Sequence, residues 1–272
     1  MAIAIGMLIG LVLGLTGAGG SVLAVPLLTL CLHLPLQDAT GIALGAVAAS
    51  AVSGVLARFR DGQTLWIPAL ILAAGGMALA PFGQWLALGL PEAWLASGFA
   101  VLAAIISVRM WRQAVQQPDT THVIRAGTAS PVHGGAMLCP FSPNGQFQLR
   151  PRCIAGLGSG GLAVGVLSGL FGVGGGFLIV PLLSMLSAVP YVTAVATSLV
   201  VISAVSSAGF ASYLLMGHGV PTYLLAQVAV GGVIGMAVGF VVGQHIAGET
   251  LQKIFSVSVI VLSALMLMQH LS

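Results

Sequence analysis

Apolar residues run through this chain in long, unalternating blocks broken by glycine, proline or charge: 2 to 32, 37 to 57, 66 to 89, 92 to 110, 154 to 189, 192 to 216, 222 to 246 and 251 to 270. The apolar/polar alternation of a membrane β-strand is missing, so each block predicts a helix that satisfies its own backbone in lipid. A spanning helix needs about 20 residues, and six of the blocks fit that length. The first and fifth would make roughly 46 to 54 Å of helix against ~30 Å of hydrocarbon, more than tilt can absorb. Each carries a glycine cluster, and each is expected to form two shorter arms joined by an unwound stretch. The expected fold is an all-α polytopic membrane protein of about eight hydrophobic helical segments.

The two long blocks are copies. A shift of 155 positions lays "GLVLGLTGAGGSVLAVPLLTL" (Gly10 to Leu30) over "GVLSGLFGVGGGFLIVPLLSM" (Gly165 to Met185), matching Gly10, Gly14, Gly17, Gly19, Gly20, Val25, Pro26, Leu27 and Leu28 to their counterparts. The register holds through Pro35 with Pro190 and Gly54 with Gly209, and one extra residue then brings Gly83 over Gly239 and Phe99 over Phe255. The chain therefore divides into a first membrane repeat, 1–110, a polar linker, 111–153, and a second repeat, 154–272. Each half opens with a Gly-broken segment. If the chain passes through at the break, the halves are parallel; if it folds back, they are inverted. Folding back handles the excess length better and is the expected arrangement.

Composition fits the membrane class: of 272 residues 58% are hydrophobic and 5% charged, where a soluble domain carries roughly 25% charged residues. Seven of the eight Lys and Arg residues lie at the linker (Arg109, Arg112, Arg125, Arg150, Arg152) or in the "RFR" loop (Arg58, Arg60), which places both on the cytoplasmic side of the inner (plasma) membrane. That bias also accounts for the net charge of +3 without nucleic acid. Cys31, Cys139 and Cys153 form no CxxC pair, and neither a disulfide framework nor a zinc site is expected.

The glycine clusters hold the candidate chemistry. A dinucleotide fingerprint requires a third glycine where Val22 and Phe177 stand, and an acid about 20 residues on, which is lacking. In a membrane helix, by contrast, a break survives only where it is buried or lines a polar cavity. Its free N–H groups and the positive end of the restarting arm suit an anion. The candidate substrate-binding residues are Gly17, Gly19, Gly20 and Ser21 at the first break and Gly172, Gly174, Gly175 and Gly176 at the second, with Thr197 and Ser198 beside them; Pro26 and Pro181 kink or open the second arms. Gly6, Gly10 and Gly14, spaced four apart like Gly161, Gly165 and Gly169, are expected to pack helices.

No Asp or Glu lies deep in a block, and the interior offers neutral groups: Thr193, Ser203, Ser206 and Ser207 in the sixth, Ser50 and Ser53 in the second, and Gln84, Gln227 and Gln244. Such hydroxyls more often bond their own helix than a ligand. His33, His218, His245 and His270 fall near block ends without ligand spacing, so neither a metal nor another cofactor is expected. No nucleophile and base pair suggests an enzyme.

The duplicated core "GxxGxGGGxxxxPxL", here Gly169, Gly172, Gly174, Gly175, Gly176, Pro181 and Leu183, followed by "ATSL" at Ala196 to Leu199, resembles the sulfite exporter TauE/SafE family of bacterial membrane permeases. The first half departs from it with Ser21 at the third glycine and "GIAL" (Gly41 to Leu44) opposite "ATSL". The resemblance implies a permease for small anions, often sulfur-containing ones such as sulfite or organosulfonates; the duplication and the paired breaks suggest alternating access by rocking one half against the other, with the site between the two breaks. The partners are then a small anionic substrate and the lipid bilayer, with a homo-oligomer left open. The competing reading is a non-transporting membrane scaffold or assembly partner whose glycines only pack helices.

Overall fold

Glycine decides where the helices of this chain touch and where they stop. The structure is a computed structural model that describes residues 1–17, 20–59, 64–116, 151–186, 191–216, 219, 221–243, 257 and 261. They form helices α1 (Ala2–Thr16), α2 (Gly20–Leu32), α3 (Leu36–Arg58), α4 (Trp66–Leu88), α5 (Glu92–Gln116), α6 (Pro151–Phe171), α7 (Gly176–Leu186), α8 (Tyr191–Leu215) and α9 (Thr222–Gly243), with no strand among the described residues. The long first block breaks between α1 and α2, and the fifth between α6 and α7. Helix α5 runs to Gln116 and α6 starts at Pro151, so helix enters the expected linker from both sides. Most of the last block, 251–270, lies outside the described residues.

Among the described residues, five helices are long and apolar enough to cross a membrane: α3, α4, α6 from Cys153, α8 from Thr193, and α9. By contrast α1, α2 and α7, with 15, 13 and 11 residues, reach only about 16 to 22 Å. Each arm therefore depends on its neighbours to bury its ends.

The arms double back at the breaks. A β-carbon on Gly20 would meet the Ile9 carbonyl and Leu13, residues that a continuing helix would leave well behind. Likewise Gly175 faces Val164 and Ser168, and Gly160 faces Leu182, so α7 returns antiparallel along α6.

Helix directions follow from the glycine contacts. Along α1, Gly6, Gly10 and Gly14 press on the backbone of Val228, Gly232 and Met236 of α9, numbers rising together, so the two helices are parallel. Gly161, Gly165 and Gly169 of α6 meet Leu72, Gly76 and Ala80 of α4 in the same way. Offsets of 155 and 156 convert the first set of contacts into the second, position for position. Between the central helices the sense reverses: Gly41, Gly45 and Gly54 of α3 face Tyr213, Phe210 and Leu199 of α8. Helix α3 is parallel to α9 (Gly45 to Leu225, Gly54 to Met236), and α8 to α4 (Thr197 to Leu65, Val205 to Gly76). Thus α1, α3 and α9 point one way and α4, α6 and α8 the other. Each of α1, α3 and α4 is antiparallel to its offset counterpart.

The core lies between α3 and α8, where Ala39, Ile42, Ala43, Val47 and Ala51 meet Ala194, Leu199, Ile202 and Val205, all buried. Outward, α4 exposes Leu70, Phe82 and Trp85 and α9 exposes Val230, Ile234 and Val241, the apolar coat that a bilayer requires. The cysteines correct an expectation. Cys153 is buried and disulfide-bonded, and Cys31 is a free, exposed thiol. Local spacing rules see only nearby pairs and so give no sign of such a bond.

The close contacts set a test. On Gly10 and Gly165 a methyl would strike the carbonyl oxygens of Gly232 and Gly76, whereas at Gly158 nothing lies within 4 Å. Gly10→Ala and Gly165→Ala should each destabilise by about 1–3 kcal/mol, and Gly158→Ala should gain up to ~1 kcal/mol of helix propensity, as read by thermal unfolding of the detergent-purified protein.

Candidate functional site: two glycine breaks against the central helices

The first break begins with a left-handed cap. Gly17 has φ 68° and ψ −2°, and its N–H donates to the Leu13 carbonyl at 2.7 Å. The second repeats the device and extends it: Gly172 (φ 67°) donates to Ser168 O at 2.9 Å, and Gly174 and Gly175 (both φ 68°) then turn the chain into α7. Only glycine takes this backbone region at low cost. Space imposes the same choice, since a β-carbon would strike Val195 at Gly17, Thr40 at Gly172, Ser206 at Gly174 and Val164 at Gly175.

The second break sits halfway along the central helices. The β-position of Gly174 lies 3.3 Å from Val47 and 3.7 Å from Ile202. Val47 is the middle residue of α3, and Ile202 is one residue from the middle of α8. Helices α2 and α7, from opposite halves, also touch.

Most hydroxyls around the breaks are spent on helix backbone. Ser50 donates to Ala46 O (2.7 Å), Ser53 to Ser50 O (2.6 Å), Ser203 to Val200 O (2.8 Å) and Ser207 to Ser203 O (2.6 Å). Ser198 does more, because its Oγ lies 2.9 Å from the Gly17 carbonyl as well as 2.8 Å from Val195 O, tying α8 to the first break. Thr197 serves another place: it donates to Thr193 O (2.7 Å) and accepts the Leu65 N–H (3.2 Å), closing the backbone just before α4.

Two hydroxyls stand apart. Ser206 and Ser168 are 0% and 1% exposed, and their Oγ atoms have no hydrogen-bond partner among the described residues. Both lie at the second break, Ser206 Oγ against Gly174 and Ser168 Cβ against Gly175. Gln84 Oε1, buried on α4, is likewise unpartnered, one turn from the Ala80 carbonyl that meets Gly169. Such groups cost free energy unless something fills the place.

No formal charge compensates this site among the described side chains. Asp38 accepts a hydrogen bond from the Tyr213 hydroxyl (3.1 Å) at the start of α3, and Arg58 lies over the Phe240 ring (4.9 Å) at its end. No group of three His, Cys, Asp or Glu could hold a metal among the described residues. A narrow cleft leads toward the break between Thr40, Phe99 and Phe171, with Gln37 and Val25 beside them. Its space of about 30 Å³ holds a couple of waters and no substrate. The edge-to-face rings of Phe99 and Phe171, 5.9 Å apart, form part of its wall.

The expected residues thus separate. Gly172, Gly174, Gly175 and Gly176 are buried together at the second break; Gly17, Gly20 and Ser21 are buried at the first; Gly19 lies outside the described residues. Pro26 is buried within α2, which runs on through it, and Pro181 falls inside α7. Sequence reading had grouped Ser206 with its neighbours and missed Ser168. Ser198 and Ser206, eight positions apart, share one face of α8, a signal that was available.

Removing the tie to the first break leaves the Gly17 carbonyl short of a donor. Ser198→Ala should cost about 1–2 kcal/mol of stability, and Ser203→Ala, whose hydroxyl bonds its own helix, should stay within about 0.5 kcal/mol in the same thermal unfolding assay.

Comparison with known proteins agrees with this architecture. Residues 2–266 match the family described as Sulfite exporter TauE/SafE. The chain is 29% identical over 260 residues to a "Probable membrane transporter protein" of Xylella fastidiosa, covering 94% of this chain and 89% of that one. It is 29% identical over 239 residues to the "Probable membrane transporter protein YdhB" of Bacillus subtilis (85% of each), and 23% over 257 residues to MJ0441 of Methanocaldococcus jannaschii, which has the same description (93% and 86%). No solved structure matches significantly. A helical chain with five apolar spans and two buried glycine breaks, matched over nearly its full length, belongs to the sulfite exporter TauE/SafE family and is a multi-pass membrane transporter.

Proposed function

We propose that this transporter moves small anions, sulfur-containing ones such as sulfite or organosulfonates, across the inner membrane by alternating access at the glycine breaks. Repeats 1–110 and 154–272 are inverted halves on this reading, and 111–153 is a cytoplasmic linker. The observation that carries it is the second break: an interrupted helix at half-depth, bearing two buried hydroxyls without partners. Neutral donors and the N-terminal end of α7 favour negative charge there.

Rocking one half against the other meets an obstacle. The contacts of α1 with α9 and of α4 with α6 bind each half to its partner through backbone-close glycines, and such rocking would have to pull both apart. The short arms α2 and α7, which end at the breaks, are the better moving parts.

The scaffold reading is favoured by the packing of Gly6, Gly10, Gly14 and their counterparts. It leaves the hydroxyls at Gly174 and Gly175 without a purpose.

Proteoliposomes containing the full chain should show saturable sulfite flux. Gly174→Ala, whose methyl would collide with Ser206, should reduce it at least about tenfold, and Gly158→Ala should leave it unchanged. A wild-type protein without saturable flux sinks the proposal, as does a folded Gly174→Ala variant that transports normally. A scaffold would instead lose partner binding in proportion to stability.

A further inference from the structure

The duplication repeats the packing of the two breaks but not their chemistry. Under the 155-residue offset, Gly174 and Gly175 correspond to Gly19 and Gly20, and the helical frame corresponds too. Ser206, however, corresponds to Ala51, and Ser168 to Leu13. Both are fully buried and apolar, and Leu13 packs beside Gly20 where Ser168 packs beside Gly175. At the first break the Gly17 carbonyl is already engaged by Ser198. At the second, two buried hydroxyls beside the turn into α7 have no partner among the described residues.

We propose, resting on the transport reading above, that the anion is held on the second break alone, through a singly charged oxyanion headgroup bound by the Ser206 and Ser168 hydroxyls and the first turn of α7. The first break is its packing counterpart and takes no ligand.

Three observations support this. A buried hydroxyl without a partner among the described residues keeps its O–H free to donate, and sulfonate or hydrogensulfite oxygens are acceptors. In the first turn of α7 the Leu178 N–H is taken by the Gly175 carbonyl (3.1 Å), and the N–H groups before it, which a helix leaves without an intrahelical partner, add further donors. The donors near the break are neutral. Arg58 is eleven residues along α3 from Val47, roughly 16 Å away, so it gives a ligand at the break no close compensating charge. Desolvation cost rises with the square of the charge, so a doubly charged ion such as sulfate pays roughly four times that of a singly charged one.

Titrations of the purified full chain with methanesulfonate, sulfate and acetate, read by thermal shift and calorimetry, test the placement. Wild type should bind methanesulfonate at least about tenfold more tightly than sulfate. Ser206→Ala and Ser168→Ala should each weaken methanesulfonate at least about tenfold while leaving the unliganded melting temperature equal or higher, because each removes an unpartnered polar group. Those opposite signs cannot come from misfolding. Ala51→Ser, at the first break, should leave methanesulfonate affinity as in wild type. Wild-type affinity in both serine variants overturns the placement, and sulfate binding as tightly as methanesulfonate overturns the single-charge preference. If wild type still carries saturable sulfite flux, only this inference falls. A wild type with neither flux nor anion binding removes the transport reading as well.

Discussion

Hydrocarbon cannot hydrogen-bond a peptide group, and this membrane chain interrupts its apolar helices twice. Everything else in the fold follows from making those interruptions tolerable. The breaks are buried against α3 and α8, they turn through glycines in the left-handed region, and their loose backbone groups find partners: Gly17 N–H on Leu13, Gly172 N–H on Ser168, and the Gly17 carbonyl on Ser198. Arms too short to span on their own are then stabilised by antiparallel contact with the helix they left. Remove the glycines and Val195, Thr40, Ser206 and Val164 would each have to move.

Helix–helix association in lipid gains little from hydrophobicity, so close backbone approach must supply it. The three-glycine stripes of α1 and α6 do this, and they do so across the halves, α1 on α9 and α6 on α4. The result is an interlocked frame whose stiffest contacts join the repeats.

Much of this was legible in the sequence. A helical block far longer than the bilayer, with glycines inside it, has few solutions, and the offset of 155 identified the paired breaks before any contact was visible. The stripes at four-residue spacing announced packing, and the contacts agree. Facing was not legible. Thr197 and Ser198 are neighbours in the chain but point about 100° apart on a helix, so one caps the backbone at Leu65 and the other reaches Gly17. Ser206 and Ser207 split the same way, the first buried and the second exposed on its own helix. Ser168 was hidden for another reason: it precedes the motif, and only the fold-back brings it beside Gly175.

A duplicated frame with unequal chemistry suits a transporter. Inverted halves supply two similar conformations of the same scaffold, one opening to each side, and that exchange requires matched packing rather than matched ligands. The packing is matched closely: Gly10 on Gly232 and Gly165 on Gly76, Gly17 on Val195 and Gly172 on Thr40. The polar groups diverge. Opposite Ser198 the first repeat has Ala43, so no equivalent hydroxyl reaches the Gly172 carbonyl, and the first break is the better tethered of the two. Buried unpartnered hydroxyls destabilise, and doubling them would add cost without adding a second useful site. The two breaks thus share a frame while their buried hydroxyls differ, with Ser206 and Ser168 beside the second and Ser198 bonded to the Gly17 carbonyl at the first.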